Sequence, residues 1–326
     1  MTTYKGINGF AVQSVATDPS PLDEGQVWYN NASYAFKLAT LTTSGTFASG
    51  GNMNTARRYL AGAGTQAATV VFGGYIGAPT AALTAATESY NGTSWTSSPN
   101  VLNTARKYLG GCGTQTAALG FGGDSGPISA ATESWNGTSW TSVNSLNSAR
   151  YGLSSANAAT QTAALAFGGN GPTGATELWN GTSWTSNPTG LNTARRNLAG
   201  SGIQTAALAF GGGPTNTAST ESFNGATWTA GNNMNTARRY IAGFGTQTAS
   251  VAAGGYTTTI VASTESYNGT TWSSNPTGLT TARYGSAGSG TQTSGLVSGG
   301  NASPDSTATE EWTGPGVPQT KTITTS

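Results

Sequence analysis

The chain reads TESYNGTSWTS from Thr87 to Ser97 and TESWNGTSWTS from Thr132 to Ser142. TELWNGTSWTS follows from Thr176, TESFNGATWTA from Thr220 and TESYNGTTWSS from Thr264. A sixth copy opens as TEEWTGPG at Thr309 and stops before its second aromatic. In each complete copy, two short runs of Thr, Ser and aromatic residues flank an Asn-Gly pair. That pattern predicts a β-hairpin, because a type I′ turn needs φ > 0 at both central residues.

Three further landmarks recur in register with this hairpin. A T/S-A-R triplet carries Arg57, Arg106, Arg150, Arg195, Arg238 and Arg283, spaced by 49, 44, 45, 43 and 45 residues. A Gly-Gly pair begins at Gly73, Gly122, Gly168, Gly211, Gly254 and Gly299. The glutamates of the T-E pair are Glu88, Glu133, Glu177, Glu221, Glu265 and Glu310. Periods of 40–50 residues fit propeller blades. In the first copy, strands are expected over 56–64, 68–74, 86–90 and 93–97, with turns at Thr65-Gln66 and Asn91-Gly92. Helical periodicity is absent. The expectation is an all-β fold, a six-bladed propeller of four-stranded sheets.

These landmarks resemble the kelch family: an Arg before the first strand, a Gly-Gly ending the second, an aromatic and turn after the third, and a Trp in the fourth. The likeness covers residues 41–312 and departs from the family pattern in having Asn-Gly where Asp-Pro is usual. The sixth copy lacks its fourth strand, and an open edge is an aggregation liability. SGTFASGGNMNTAR (44–57) aligns with GATWTAGNNMNTAR (225–238), placing Phe47 on Trp228. Residues 44–49 are therefore expected to pair with 307–312 and close the ring.

Charged residues are 8% of the chain and the net charge is +1, which gives no electrostatic case for nucleic acid or an anionic membrane. No apolar run approaches the roughly 20 residues that span a bilayer, and MTTYKGINGF carries no signal-peptide core. Histidine is absent, which excludes His-based acid–base chemistry and the copper centre of galactose-oxidase-like kelch enzymes. The acids outside the repeat, Asp18, Asp23, Glu24, Asp124, Asp305 and Glu311, are scattered, so no catalytic residue, metal or cofactor is expected. A propeller glycan hydrolase or lyase would need two carboxylates close together over one face. The repeated Arg and Glu are read as six structural pairs. The N-x-T sequons at Asn91, Asn136, Asn180 and Asn268 are read as hairpin turns, since Asn224-Gly225-Ala226 keeps the turn and drops the sequon. Cys112 is read as a small core residue.

Variable positions on a regular scaffold are where binding usually resides. The residue after each repeat arginine is Arg58, Lys107, Tyr151, Arg196, Arg239 or Tyr284, and the next is Tyr59, Tyr108, Gly152, Asn197, Tyr240 or Gly285. The loops after Gly-Gly also vary, beginning with Tyr75 in the first repeat and Tyr256 in the fifth. Candidate ligand-binding residues are Arg58, Tyr59, Tyr75, Lys107, Tyr108, Tyr151, Arg239, Tyr240, Tyr256 and Tyr284. Aromatic rings beside Arg, Asn and Thr suit carbohydrate, and solvated loops without a ligand are the alternative.

Residues 1–40 fall outside the repeat, as does the tail, 314–326; the propeller is expected over 41–313. QVWYN and YAFKL predict a hairpin across Asn31-Ala32. A lone hairpin is marginal in water, so Val27, Trp28, Tyr29, Tyr34 and Phe36 are expected to pack on the propeller or a partner. This leader is similar to those of structural proteins in tailed phages, where kelch-like repeats of the NTAR…FGG…TESYNGTSWT type follow it. The resemblance implies a non-enzymatic virion protein at the particle surface. It would be tail- or fibre-associated, docked to other virion proteins through its leader and presenting its propeller to host-surface carbohydrate. A purely architectural decoration protein is the alternative, and self-association is left open.

Overall fold

The computed structural model describes residues 12–20, 25–41, 44–316 and 318–323; Asp23 and Glu24 lie outside them. Every regular element among these is a strand, in seven four-stranded sheets and one two-stranded ribbon. The chain divides into two compact units, Thr46–Thr313 and a smaller one made of 1–45 with 314–326.

The larger unit repeats one antiparallel sheet. In repeat 1 it comprises Ala61–Gly64, Thr69–Phe72, Thr87–Tyr90 and Trp95–Ser97. Repeats 2 to 5 follow the same order. In repeat 6, Ala287–Gly290, Ser294–Ser298 and Thr309–Thr313 are joined by Thr46–Ser49, with Phe47 opposite Trp312 and Ser49 opposite Glu310. The strand is thus Thr46–Ser49 against 310–313, a shift of the expected ranges. Phe47 faces Trp312 as Trp228 faces Phe223 in repeat 4. First strands lie side by side in repeat order, and that of repeat 6 lies beside that of repeat 1. They are built mostly of Gly, Ala and Ser because they converge: a Cβ on Gly111 would meet Ala61 Cβ at 2.9 Å. Cys112 sits in this layer, fully buried, where burial pushes its thiol pKa up to about 12. Repeated four-stranded sheets of this kind are consistent with a β-propeller.

Two local expectations are corrected. The first strand begins at Ala61 rather than Ala56, because Tyr59 takes a left-handed conformation (φ 58°) that breaks the run. The Asn-Gly turn is not type I′, since only the glycine has positive φ (Gly92, 90°). Tyr90 pairs with Trp95 across a four-residue loop. Asn91 acts through its side chain: Oδ1 accepts from the amides of Thr93 and Ser94 at 3.0 and 2.8 Å. An Asx turn of this kind suits Asn without requiring it to be left-handed.

The Thr-Gln pair does more than turn the chain. Gln115 Nε2 donates to Thr69 O and Tyr90 O of repeat 1, so one carboxamide clamps two strands of the preceding sheet. Gln161, Gln204, Gln247 and Gln292 do the same to repeats 2 to 5, and Gln66 reaches Gly295 O and Trp312 O of repeat 6. The tryptophans add a second tie. Trp140, Trp184, Trp228 and Trp272 each donate Nε1–H at 2.9 Å to the T-E threonine of the preceding repeat, and Trp95 donates to Thr309 of repeat 6.

The sixth such tie is missing. Phe47 stands where the tryptophan would, and Thr264 Oγ1 is buried without a partner. Leaving a buried polar group unpaired is costly. Phe47→Trp is therefore expected to raise the unfolding free energy by about 1 kcal/mol, measured by urea denaturation. The gain should vanish in a Thr264→Val background. An equal gain with and without Thr264 would show that packing, not the hydrogen bond, is responsible.

In the smaller unit the expected hairpin forms, Val27–Asn30 against Ala35–Leu41, with Asn30 Oδ1 capping the amides of Ala32 and Ser33. It is not a lone hairpin. Gln13–Val15 pairs parallel on one side and Pro318–Thr322 antiparallel on the other, so both ends of the chain make one four-stranded sheet. Trp28 is fully buried, and its Nε1 and Asn30 Nδ2 donate to Asp18 Oδ1. The hydrogen bonds from Asn30 and then Trp28 hold the Asp18 carboxyl below its usual range. Val27 and Tyr29 are half-buried, while Tyr34 and Phe36 are exposed.

Candidate functional site

The site begins at the repeat arginines. Arg57, Arg106, Arg150, Arg195, Arg238 and Arg283 pair with Glu88, Glu133, Glu177, Glu221, Glu265 and Glu310 at 2.9–3.2 Å, and all twelve residues are buried. The second carboxylate oxygen accepts a backbone amide, from Asn54 in repeat 1 and from Asn103, Asn147, Asn192, Asn235 and Thr280 in the others. Five of the guanidiniums each hold two backbone carbonyls, such as Gly73 O and Ala86 O for Arg57, and Arg283 holds Val297 O. Burial lowers the arginine pKa values, Arg57 to about 10, with the paired glutamate opposing the shift. Both charges are consumed in fixing the approach to the first strand.

The next two residues then have their backbone set. The residue after the arginine bridges to the residue after Gly-Gly: Arg58 to Tyr75, Lys107 to Asp124, Arg196 to Gly213, Arg239 to Tyr256 and Tyr284 to Asn301. Both glycines carry positive φ, and a Cβ on Gly73 would lie 2.7 Å from Arg106 O of the next repeat. The two variable positions of each repeat are brought together in this way.

The second residue after the arginine is left-handed in all six repeats: Tyr59, Tyr108, Gly152, Asn197, Tyr240 and Gly285, with φ of 56–67°. Their amides and carbonyls form a closed cycle. Tyr108 N donates to Tyr59 O, Gly152 to Tyr108, Asn197 to Gly152, Tyr240 to Asn197, Gly285 to Tyr240 and Tyr59 to Gly285, at 2.7–2.9 Å. A tyrosine with φ > 0 is a backbone outlier worth about 1–2 kcal/mol, so this cycle holds strained residues in place.

Rings from repeats that are not neighbours meet over this cycle. Tyr59 lies 4.0 Å from Tyr108, 5.3 Å from Tyr240 and 5.9 Å from Tyr284 between centroids, and Tyr108 lies 6.1 Å from Tyr240. The glycines make room: a Cβ on Gly285 would lie 2.7 Å from the Tyr59 ring. Tyr151 contacts Tyr108 at 5.8 Å, and Tyr256 meets Tyr284 edge-on at 5.7 Å. Cations stack around the rim, Arg58 over Tyr59 and Tyr75, Lys107 over Tyr75 and Tyr108, and Arg239 over Tyr240 and Tyr256. All ten candidate residues thus belong to one contiguous patch of rings and cations.

Four residues of this patch were not among the candidates. Asp305 pairs with Arg58 at 2.8 Å, and Asp124 with Lys107 at 3.5 Å. Arg196 approaches Tyr151 Oη at 3.5 Å, and Asn197 sits in the left-handed cycle. For Arg196 and Asn197 the signal was their place in the two variable columns. For Asp305 there was none, because Arg58 is 247 residues away.

Burial pushes the pKa values of Tyr59 and Tyr108 upward, reinforced at Tyr59 by the neighbouring phenols and partly opposed at Tyr108 by the Tyr59 hydroxyl. Their unfolded value is about 10, so the stability these neutral phenols contribute is whole below that pH and is lost as pH rises above it. Phenolate absorbance followed through an alkaline titration should therefore show a group of tyrosines that ionises only with unfolding. If all twelve tyrosines ionise together near pH ~10 with the fold intact by circular dichroism, the burial argument is wrong.

No protein-family model matches the chain, and no curated protein is similar to it.

Proposed function

We propose that the larger unit is a six-bladed, kelch-like β-propeller closed by Thr46–Ser49, and that it binds carbohydrate through the tyrosine-rich face. The protein is read as a non-enzymatic structural component of a tailed-phage particle, tail- or fibre-associated, with host-surface glycan as its ligand. One observation carries the binding role: variable residues from five repeats converge on one continuous patch of rings and cations. Aromatic faces pack on sugar C–H surfaces, and the cations and amides around them can meet hydroxyls.

The carboxylates of this face support binding rather than hydrolysis. Asp305 accepts from Arg58, Asn301 and the amide of Gly77, and Asp124 is paired with Lys107, so neither is poised as an acid or base. The ring closure is supported by ties that recur between repeats 6 and 1, among them Gln66 to Trp312 O and Gly300 N to Arg57 O. Docking through the leader is supported by exposed Tyr34 and Phe36, with Ile323 hydrogen-bonded beside Phe36. One observation favours the architectural alternative: the rings of Tyr59, Tyr108, Tyr240 and Tyr284 pack on one another without a ligand.

The full-length chain on a glycan array decides between these. Retention that is lost in a Tyr75→Ala/Tyr256→Ala variant supports the binding face. Absence of retention on every glycan, with no attachment to host cells, leaves only the architectural role.

A further inference from the structure

We propose that Arg196 and Arg239 form an anion subsite on this face, so that its ligand is an acidic saccharide bearing a carboxylate or a sulfate or phosphate ester. This rests on the carbohydrate reading above and narrows it.

The argument is one of charge balance. Four cations stand in the column after the repeat arginine. Arg58 and Lys107 hold Asp305 and Asp124. Arg196 and Arg239 have no carboxylate partner among the described residues. Arg239 Nη1 donates to Pro214 O and Arg196 Nη1 to Tyr151 Oη, both neutral acceptors. A partly desolvated guanidinium is where a charge-assisted contact is strongest.

Both cations flank the same loop. Gly213 bridges the backbone of Arg196, and the Arg239 side chain lies over Gly213 and Pro214. That loop, GPTNTAS (213–219) in repeat 4, carries no acid, and neither does NGPTGA (170–175) in repeat 3, the repeat whose Tyr151 accepts from Arg196. They are also the shortest between Gly-Gly and T-E, against YIGAPTAALTAA (75–86) in repeat 1. The loops are shortest where the positive charge is uncompensated.

A second, independent observation sits beside Arg196. Asn197 is only 9% exposed, and its Oδ1 is buried without a hydrogen-bond partner. It lines a recess of about 80 Å³ together with Tyr59, Tyr108 and Tyr240, four leucines and Ile241. A lone acceptor among tyrosine rings and apolar side chains calls for a donor, and a sugar hydroxyl is one. Anion, hydroxyl and C–H face together describe a uronate, a sialate or a sulfated or phosphorylated sugar.

The test uses the full-length chain and matched pairs: oligogalacturonides beside their carboxyl-reduced forms, sialyllactose beside lactose, and sulfated galactan fragments beside desulfated ones. The acidic member of at least one pair should bind about tenfold tighter, and its binding should weaken with added salt. Arg196→Gln and Arg239→Gln should each remove most of that difference. Lys321→Gln, a charge change in the smaller unit, should bind as the wild type does. Equal binding of acidic and neutral members overturns the anion subsite and leaves the carbohydrate reading standing. Binding by no member of any pair overturns both. If the arginine variants melt below wild type, the salt dependence of the unaltered chain decides: salt-insensitive binding overturns the subsite.

Discussion

Arg150→Met will lower the unfolding free energy by about 3–5 kcal/mol, a fall in melting temperature on the order of 10 °C. The guanidinium donates to Glu177 Oε1 at 2.9 Å and to the carbonyls of Gly168 and Ala175 at 3.1 and 2.6 Å. Methionine fills much of the volume and supplies none of these donors. It leaves a carboxylate buried without its counter-charge, together with two carbonyls. Glu177→Gln should cost less, because a carboxamide oxygen can still accept the Asn147 amide that now bonds Oε2 at 2.7 Å. The double variant Arg150→Met/Glu177→Leu should cost less than the two single apolar replacements added together, since no unpaired ion remains. Urea denaturation of the four proteins tests this. A loss below about 1 kcal/mol for Arg150→Met would mean that the pair is screened or relaxes freely.

The second large effect concerns the strand that completes repeat 6. A chain of residues 46–313 should fold, whereas one of residues 50–313 should be much less stable or should associate. The longer piece keeps Phe47 against Trp312, with ring centroids 4.9 Å apart, and the ladder from Thr46–Thr313 to Ser49–Glu310. The shorter piece loses a packed aromatic, worth about 3–5 kcal/mol by itself, and exposes Thr309–Thr313 as an open edge able to capture another chain. Thermal melts and sedimentation of the two pieces distinguish the outcomes. If 50–313 melts with 46–313 and stays monomeric, the larger unit does not depend on this strand.

Features repeated in register could be read from the sequence. Arg57 and Glu88 and their five counterparts keep step through the chain, so their pairing followed from the repeat alone. The hairpin at Asn91-Gly92 was legible as a turn but not as the turn it is, because Asn acts through either its backbone or its side chain. Gln66 and its counterparts were legible only in part. A turn has no need of glutamine in every copy, and that invariance was the unused signal of a contact with the neighbouring sheet. Tyr59 in the left-handed region was beyond reach: the strain is imposed by a cycle of six amides that exists only once all repeats are assembled. The pairing of Pro318–Thr322 with Ala35–Leu41 was hidden for a similar reason, since short polar runs carry little register information.

The partnering of Thr46 with Thr313 has a mechanical consequence. Entry and exit of the larger unit sit on directly paired residues of an antiparallel ladder, one strand spacing of about 4.8 Å apart. Tension that separates these two points breaks the ladder rung by rung from one end, instead of loading every rung at once in shear. The first rungs to yield lie in the one sheet whose aromatic makes no hydrogen bond to its neighbour. Under load the molecule has a designated place to open, and the other five sheets keep their ties while it does.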